Sequence, residues 1–436
     1  MKITQPIRGL MSFARQHSRY YQNCLDDVPE AINSLTELPL LDPASFWIGS
    51  ENLDQWPVLT APIGSAVVFK TGGSTGSGRL SVYTRAEWQA TVENFGRSLN
   101  GQFSPGDRVA NLFFAGDLYA SFLFIHDSLA HVDTPITEFP FSGEVDPPKL
   151  ADAIAQHGIN VLAGVPAQLL TFASWLGQRN LVLPRVDTVL YGGESLFASQ
   201  RQRLAQVLPN ARIASIGYAS VDAGFIGASH RDCEEGEHRT PDGHVLLEII
   251  DQHTGKPIEA CDQHGLLVLT NLHRRLMPLI RYPVGDLACW REPIGAPQRK
   301  FALRGRSGNS QRVRVGILSL MTDEISETVR RTAGSDDWQL LIEQADGTDV
   351  LTLKYVVEER STQIDNKLEA RLIERYPQII HLRTAGLLEL RIQSCRFEDL
   401  ARHPRAGKSL PIVDLRCYEQ HDGEVPDGIA DPAQLP

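Results

Sequence analysis

Apolar positions along this chain follow two periods, and their alternation lays out most of its elements. Val67-Val68-Phe69 is an apolar, mostly β-branched run, the pattern of a buried strand, and it breaks into glycines and hydroxyls from Thr71 to Gly78. A second strand follows. Trp88, Val92, Phe95 and Leu99 then recur at helical spacing, opened by Thr84 and Glu87 at the distance of a capping box. Residues 12–21 read as helix and 36–42 as an extended lead-in. Residues 107–112 read as turn then strand, followed by Phe113, Phe114, Tyr119, Phe122 and Phe124. A short strand over 160–163 leads into an apolar-periodic helix over 167–176. Another strand, 186–191, ends in Gly192-Gly193-Glu194. Strands alternating with helices predict α/β layers. Beyond His244 the pattern changes. Residues 245–250 and 266–270 read as paired strands around Gly255-Lys256-Pro257, which predicts an antiparallel sheet or small barrel. From near Val313 a separate α+β unit is expected, with strands over 349–358 and 387–392 and an amphipathic helix marked by Ile364, Leu368 and Leu372.

The expected fold is therefore α/β. A large N-terminal domain of layered sheets and helices, carrying an antiparallel β subdomain, spans 1–306. A small mobile α+β domain spans 307–418. The acidic, Pro- and Gly-containing stretch 419–436 is expected to be disordered.

Composition narrows the chemistry. The chain has 436 residues, 42% hydrophobic and 22% charged, an ordinary soluble balance with room for two or three domains. Its net charge of −11 argues against nucleic acid or a membrane as partner, so positive potential for an anionic ligand must be local. No apolar run is long enough to span a bilayer, and the N-terminus lacks a signal-peptide core. Six scattered cysteines fit reduced thiols, and a cytoplasmic location is expected.

The loop after Phe69 lets backbone N–H groups approach an anion. It is not a Walker A loop, because Arg79 and Leu80 stand where Lys and Ser or Thr are needed. A dinucleotide fingerprint fails at Ser81. On the loop alone, a plain surface turn stays open. Thr71, Gly72, Gly73, Ser74, Thr75 and Gly76 resemble the Thr-Ser-Gly-Thr-Thr-Gly signature of the adenylate-forming acyl- and aryl-CoA synthetases, which wraps the phosphates of ATP. Three further segments resemble the same superfamily in the same order: Tyr191-Gly192-Gly193-Glu194, Gly217-Tyr218-Ala219-Ser220-Val221-Asp222-Ala223-Gly224, and Pro278-Leu279-Ile280-Arg281-Tyr282-Pro283-Val284-Gly285-Asp286. The likeness runs from about Phe13 to Arg416 and is nearest the phenylacetate-CoA ligase-like branch.

The resemblance implies roles. Gly192, Gly193 and Glu194 would border adenine and Tyr218 would lie against it. Asp286 would accept from the ribose hydroxyls, a task suited to an acceptor-only carboxylate. Asp222 would hold Mg²⁺. Val221 stands where the family has a threonine that donates to the α-phosphate, and Ser220 is the candidate to replace it. Leu303-Arg304-Gly305-Arg306 matches the hinge and adds Arg306 to the nucleotide contacts, although Ser307-Gly308-Asn309 replaces the usual acidic pair. Gly407-Lys408 resembles the terminal segment whose lysine neutralises the α-phosphate. Phe114, Tyr119, Gly164 and Val165 are candidate walls of an acyl pocket, with core packing as the bland reading of the aromatics. Zinc, held in some members near the positions of Cys233 and His238, is not expected here. No cysteine lies within 293–301 to complete the set, and two ligands do not close a tetrahedral site.

The expected activity is ATP-dependent activation of a small-molecule carboxylic acid, aromatic in class, as acyl-adenylate, then transfer to a thiol such as coenzyme A. Two alternatives stay open. In one, adenylation feeds a reductase or a partner protein, as in phenazine antibiotic biosynthesis. In the other the chain is a catalytically weak nucleotide-binding homologue. A homodimer is admitted.

Overall fold

A computed structural model describes residues 4–70, 79–306, 312–315, 318–345, 348–357, 359–384, 386–403 and 407–415. Strands Arg108–Leu112, Thr137–Pro140, Val161–Gly164, Thr188–Tyr191 and Arg212–Ser215 form a parallel sheet. Across it the order is 137–140, 108–112, 161–164, 188–191, 212–215. Val161–Gly164 and Thr188–Tyr191 are buried along their whole length, as parallel strands covered on both faces must be. Helices Pro147–His157 and Pro166–Gly177 each start with proline in the first turn, where no N–H is needed. The first ends at Gly158 with φ +62°, the left-handed position that glycine fills without strain.

The Thr84–Glu87 capping box opens helix Arg85–Ser98 as expected. Its Glu87 does more than cap. One carboxylate oxygen accepts from the Thr84 N–H, and the other accepts from the N–H groups of Arg275 and Leu276.

The antiparallel region is an open five-stranded sheet rather than a barrel. Its order is Glu237–Arg239, Lys300–Arg306, Tyr282–Trp290, Gly265–Asn271, Val245–Ile250. The N-terminal segment packs on it. Ile7, Leu10, Leu35 and Phe46 share one buried cluster with Val245, Ile249, Leu267 and Tyr282, and the Tyr21 hydroxyl donates to the Pro278 carbonyl at 2.8 Å. Two local expectations are corrected here. The first helix is two, Gln5–His17 and Arg19–Cys24, because buried Ser18 leaves helical geometry to cap the second and to donate to the Pro57 carbonyl. The lead-in over 36–42 starts as a 3₁₀ turn, Leu35–Glu37, closed by a Ser34–Glu37 capping box.

In the C-terminal part, Leu388–Cys395, Thr348–Val356, Trp338–Ala345 and Ile412–Asp414 form a mixed sheet in that order. Helices Thr322–Ala333 and Thr362–Arg375 cover it, with Leu340, Ile342, Leu353, Val329 and Leu368 in a core of its own. The stretch 419–436 lies outside the described residues. No helix among the described residues is long and apolar enough to cross a membrane.

Candidate active site

All five strands of the parallel sheet run in one direction, so their carboxyl ends share one edge. The chain builds outward from 108–112 on one side and then crosses back to place 161–164 on the other. Open α/β sheets bind ligands in the crevice that such a reversal leaves. Phe113-Phe114 leave the first of these strands, Gly164-Val165 the second, and Gly192-Gly193-Glu194 the next. Backbone must pass close here. A Cβ at Gly192 would stand 2.8 Å from Ile216 Cγ2, and Gly193 holds φ +85°.

The hairpin Tyr218–Ser220/Gly224–Gly227 continues from the last strand. Its turn carries Asp222, whose Oδ1 accepts from the Ser220 hydroxyl at 2.6 Å and the Ala223 N–H at 3.1 Å. Oδ2 accepts from the Tyr282 hydroxyl at 2.5 Å. Burial, with the Asp222 charge alongside, pushes the Tyr282 hydroxyl well above its usual range, so it stays a donor. The Tyr218 hydroxyl donates to Asp286, which lies in register opposite Arg306 on the antiparallel sheet. Two hydrogen-bonded groups, Tyr218–Asp286 and Ser220–Asp222–Tyr282, thus tie this hairpin to the strand Tyr282–Trp290. Behind Tyr218, His238 is buried, 5.6 Å away between ring centroids, and accepts or donates at 3.1 Å with the Ser215 hydroxyl. Burial drives its pKa down to about 4, so the ring is neutral.

Lys408 arrives from the far end of the chain. A Cβ on Gly193 would lie 3.1 Å from Lys408 Cε and 3.6 Å from both its Nζ and Val165 Cγ1, so the lysine stem crosses the glycine. The next residue, Ser409, donates its N–H to Glu194 Oε1 at 2.5 Å. The preceding residue, Gly407, lies so close to Phe114 that a Cβ there would stand 2.1 Å from the ring, and a Cβ on Gly143 would stand 2.2 Å from it. The seam continues away from the crevice. Phe397 and Leu400 enter the cluster that holds Leu170, Phe172 and Leu204. Arg203 and Arg402 each stand over the Phe397 ring, at 5.0 and 5.1 Å. Gln200 and Arg203 donate to Asp337, and the Ser174 hydroxyl donates to Glu398 at 2.5 Å.

Phe114, Tyr119 and Val165 belong to one buried apolar cluster, with Gly164 backed against Leu112. Thr71, Gly72, Gly73, Ser74, Thr75 and Gly76 lie outside the described residues. Among the described residues no three His, Cys, Asp or Glu side chains converge as a metal site. Three acceptor positions of Asp222 are already used. What remains suits a Mg²⁺ that keeps most of its waters, and not a protein cage. A cleft of about 330 Å³ opens on the outer seam beside Trp175 and Arg396, lined by none of these site residues, so the strand ends are the better candidate.

Arg274 was not singled out from the sequence. It is fully buried, stands 3.7 Å over the Tyr83 ring, and donates to the Ser81 hydroxyl and the Val82 and Asp222 carbonyls. It pins the Asp222 turn to strand Leu80–Thr84. Its signal is a basic pair, Arg274-Arg275, just ahead of the Pro278 motif, which by default reads as surface. Val221, in place of the family's threonine, is half-buried against the cluster that holds Phe69, Tyr83 and Trp88.

Residues 23–272 match the profile of the AMP-binding enzyme family. A phenylacetate-coenzyme A ligase of Thermus thermophilus is 22% identical over 436 residues, covering 94% of this chain and 95% of the relative. The indoleacetate–lysine synthetase of Pseudomonas savastanoi is 25% identical over 271 residues, covering 58% of this chain and 60% of the relative. Among solved structures, a 2-hydroxyisobutyryl-CoA ligase in the postadenylation state, in complex with 2-HIB-AMP, superposes with a TM-score of 0.70 at 16% identity, covering 94% of this chain and 88% of that one.

Proposed function

This chain belongs to the AMP-binding enzyme family, in its phenylacetate-CoA ligase-like branch, and from that premise we propose that it activates an aromatic carboxylic acid with ATP and passes the acyl group to coenzyme A. The acid's carboxylate attacks the α-phosphorus in line. The bond to the bridging oxygen breaks, pyrophosphate leaves, and an acyl-adenylate forms. The thiol of coenzyme A then attacks the acyl carbon and releases AMP. Catalysis rests on positioning and on charge placed where charge develops.

Each residue has a part in this reading. Residues 71–76 hold the leaving phosphates, Gly192 and Gly193 border adenine, Tyr218 lies against it, and Asp286 with Arg306 serves the ribose side. Ser220 supplies the α-phosphate donor that Val221 lacks. Mg²⁺, met by Asp222, would offset the charge of the phosphates. Phe114, Tyr119, Gly164 and Val165 wall the acyl pocket. Lys408 meets the α-phosphate, carried by a unit spanning 307–418 that moves against 1–306.

The supporting observation is the seat of Lys408. A lysine 215 residues along the chain from Gly193 crosses that glycine at the crevice where an anionic ligand belongs. The test is pyrophosphate exchange screened across aryl and fatty acids. Exchange with aromatic acids alone is expected. Exchange with none overturns the reading and leaves a nucleotide-binding protein. A second step adds coenzyme A or an amine. The indoleacetate–lysine synthetase relative favours an amine as the alternative acceptor. Turnover with neither points to a reductase or a protein acceptor.

A further inference from the structure

Three successive residues of the C-terminal part touch three points of the crevice. Gly407 abuts Phe114, Lys408 crosses Gly193, and Ser409 is tied to Glu194. The first two contacts are packing and leave the turn free to pivot. The third is the one directional bond of the set. We infer that Glu194 is a positioning residue: it does not touch the reacting atoms but seats the 407–409 turn, and so fixes where Lys408 presents its ammonium. This rests on the reading of Lys408 as the group that meets the α-phosphate.

The surroundings of Glu194 fit that task. On one side the N-terminus of helix Pro166–Gly177 offers the Ala167 N–H. On the other, the C-terminal part brings Lys408, Arg402 and the Ser409 N–H. Arg402 itself faces Glu398 and Asp337. Gly192 and Gly193 of its own loop bring no charge. The residue keeps part of its surface open, but its carboxyl end is enclosed. Burial outweighs both cations and raises its pKa from the usual 4.5 to about 7.

Seating and titration are then linked. The bond from Ser409 needs only a lone pair, which acid and carboxylate both offer. The burial cost falls on the ionised form alone. With the turn withdrawn the carboxyl regains water and its ordinary value. The seated pose therefore binds the proton more tightly. Seating is strongest below pH 4.5, weakens as pH rises towards 7, and levels off above it. Between pH 6 and 8 the seating equilibrium should fall about tenfold.

The test is hydrogen exchange on the full chain, following amides of 407–415 at pH 6 and pH 8 after correction for intrinsic rates. Glu194→Ala should speed exchange of this segment about tenfold, as for loss of one enclosed hydrogen bond. Strands Val245–Ile250 and Gly265–Asn271 should stay protected. Glu194→Gln keeps the acceptor without the charge. It should exceed the native chain's protection at both pH values, by about tenfold more at pH 8 than at pH 6. Pyrophosphate exchange should follow the same order. Unchanged protection in Glu194→Ala overturns the inference, and so does a Glu194→Gln variant that behaves like Glu194→Ala at both pH values. If Glu194→Ala unprotects every strand, Glu194→Gln alone decides. Failure of the functional reading shows separately, as native protein that exchanges pyrophosphate with no acid while the protection pattern stands.

Discussion

The turn that carries Asp222 and the turn that carries Lys408 are held by opposite means. Around Asp222 both carboxylate oxygens and the main-chain carbonyl are bonded, and the partners Ser220, Tyr282 and Arg274 all lie within 60 residues of it in the chain. Behind them, buried Arg281 pairs with both oxygens of Glu248 at 3.0 and 3.1 Å. Lys408 rests across a seam, on a glycine, beside one buried carboxyl. The first turn is built with the fold. The second is delivered to it. On the proposed reading, charge that must be present throughout is embedded, whereas charge needed for one step is carried on a part that can leave.

Four substitutions separate the two modes. The largest effect is expected at Arg281→Ala, which strands the buried Glu248 carboxylate. Breaking such a pair costs about 3–5 kcal/mol, read by denaturant unfolding. A loss below about 1 kcal/mol would mean that the fixed frame does not depend on this pair. Next is Lys408→Ala, which should lower pyrophosphate exchange about 10²–10³-fold with unfolding unchanged. Transfer from a supplied acyl-adenylate should survive, and equal loss of both half-reactions would place Lys408 with the embedded residues.

Asp286→Ala should weaken ATP binding by roughly 1.5–3 kcal/mol per lost bond at the upper end, measured by calorimetry. Unchanged affinity would remove it from the nucleotide frame. The smallest effect belongs to Val221→Thr. The new hydroxyl enters a half-buried position at the edge of an apolar cluster, so stability should drop by about 1 kcal/mol while exchange persists. Lost exchange with intact stability would show that the side chain at 221 acts on the ligand.

Three strands of the parallel sheet, the paired strands 245–250 and 265–271, and helix Arg85–Ser98 were legible because their signals are local: apolar period, proline at a first turn, glycine at a strand end. Strands Thr137–Pro140, Arg212–Ser215, Glu237–Arg239, Tyr282–Trp290 and Lys300–Arg306 carry no such signal. The Ser34–Glu37 capping box was legible too, since Ser-x-x-Glu is a local pattern, and was overlooked beside the proline that follows. Arg274 was not legible, because a cation is expected in water and only a partner ring and two carbonyls distant in sequence make its burial tolerable. Glu194 shows the same limit from another side. Its segment placed it correctly at a strand end, but its bond to Ser409 spans 215 residues, and no spacing rule reaches that far.

Phe114 has a practical meaning for anyone redesigning this protein. Its ring lies against both Gly143 and Gly407, so closely that a Cβ on either would meet the same ring edge. A larger or smaller side chain at 114, chosen to admit a different acid, would also alter the mating surface on which the lysine-bearing turn lands. On the proposed reading, in which Phe114 walls the acyl pocket, acid preference and docking geometry are not independent design variables at this position. Libraries that vary 114 alone would confound the two, and varying it together with 143 and 407 is the way to explore them apart.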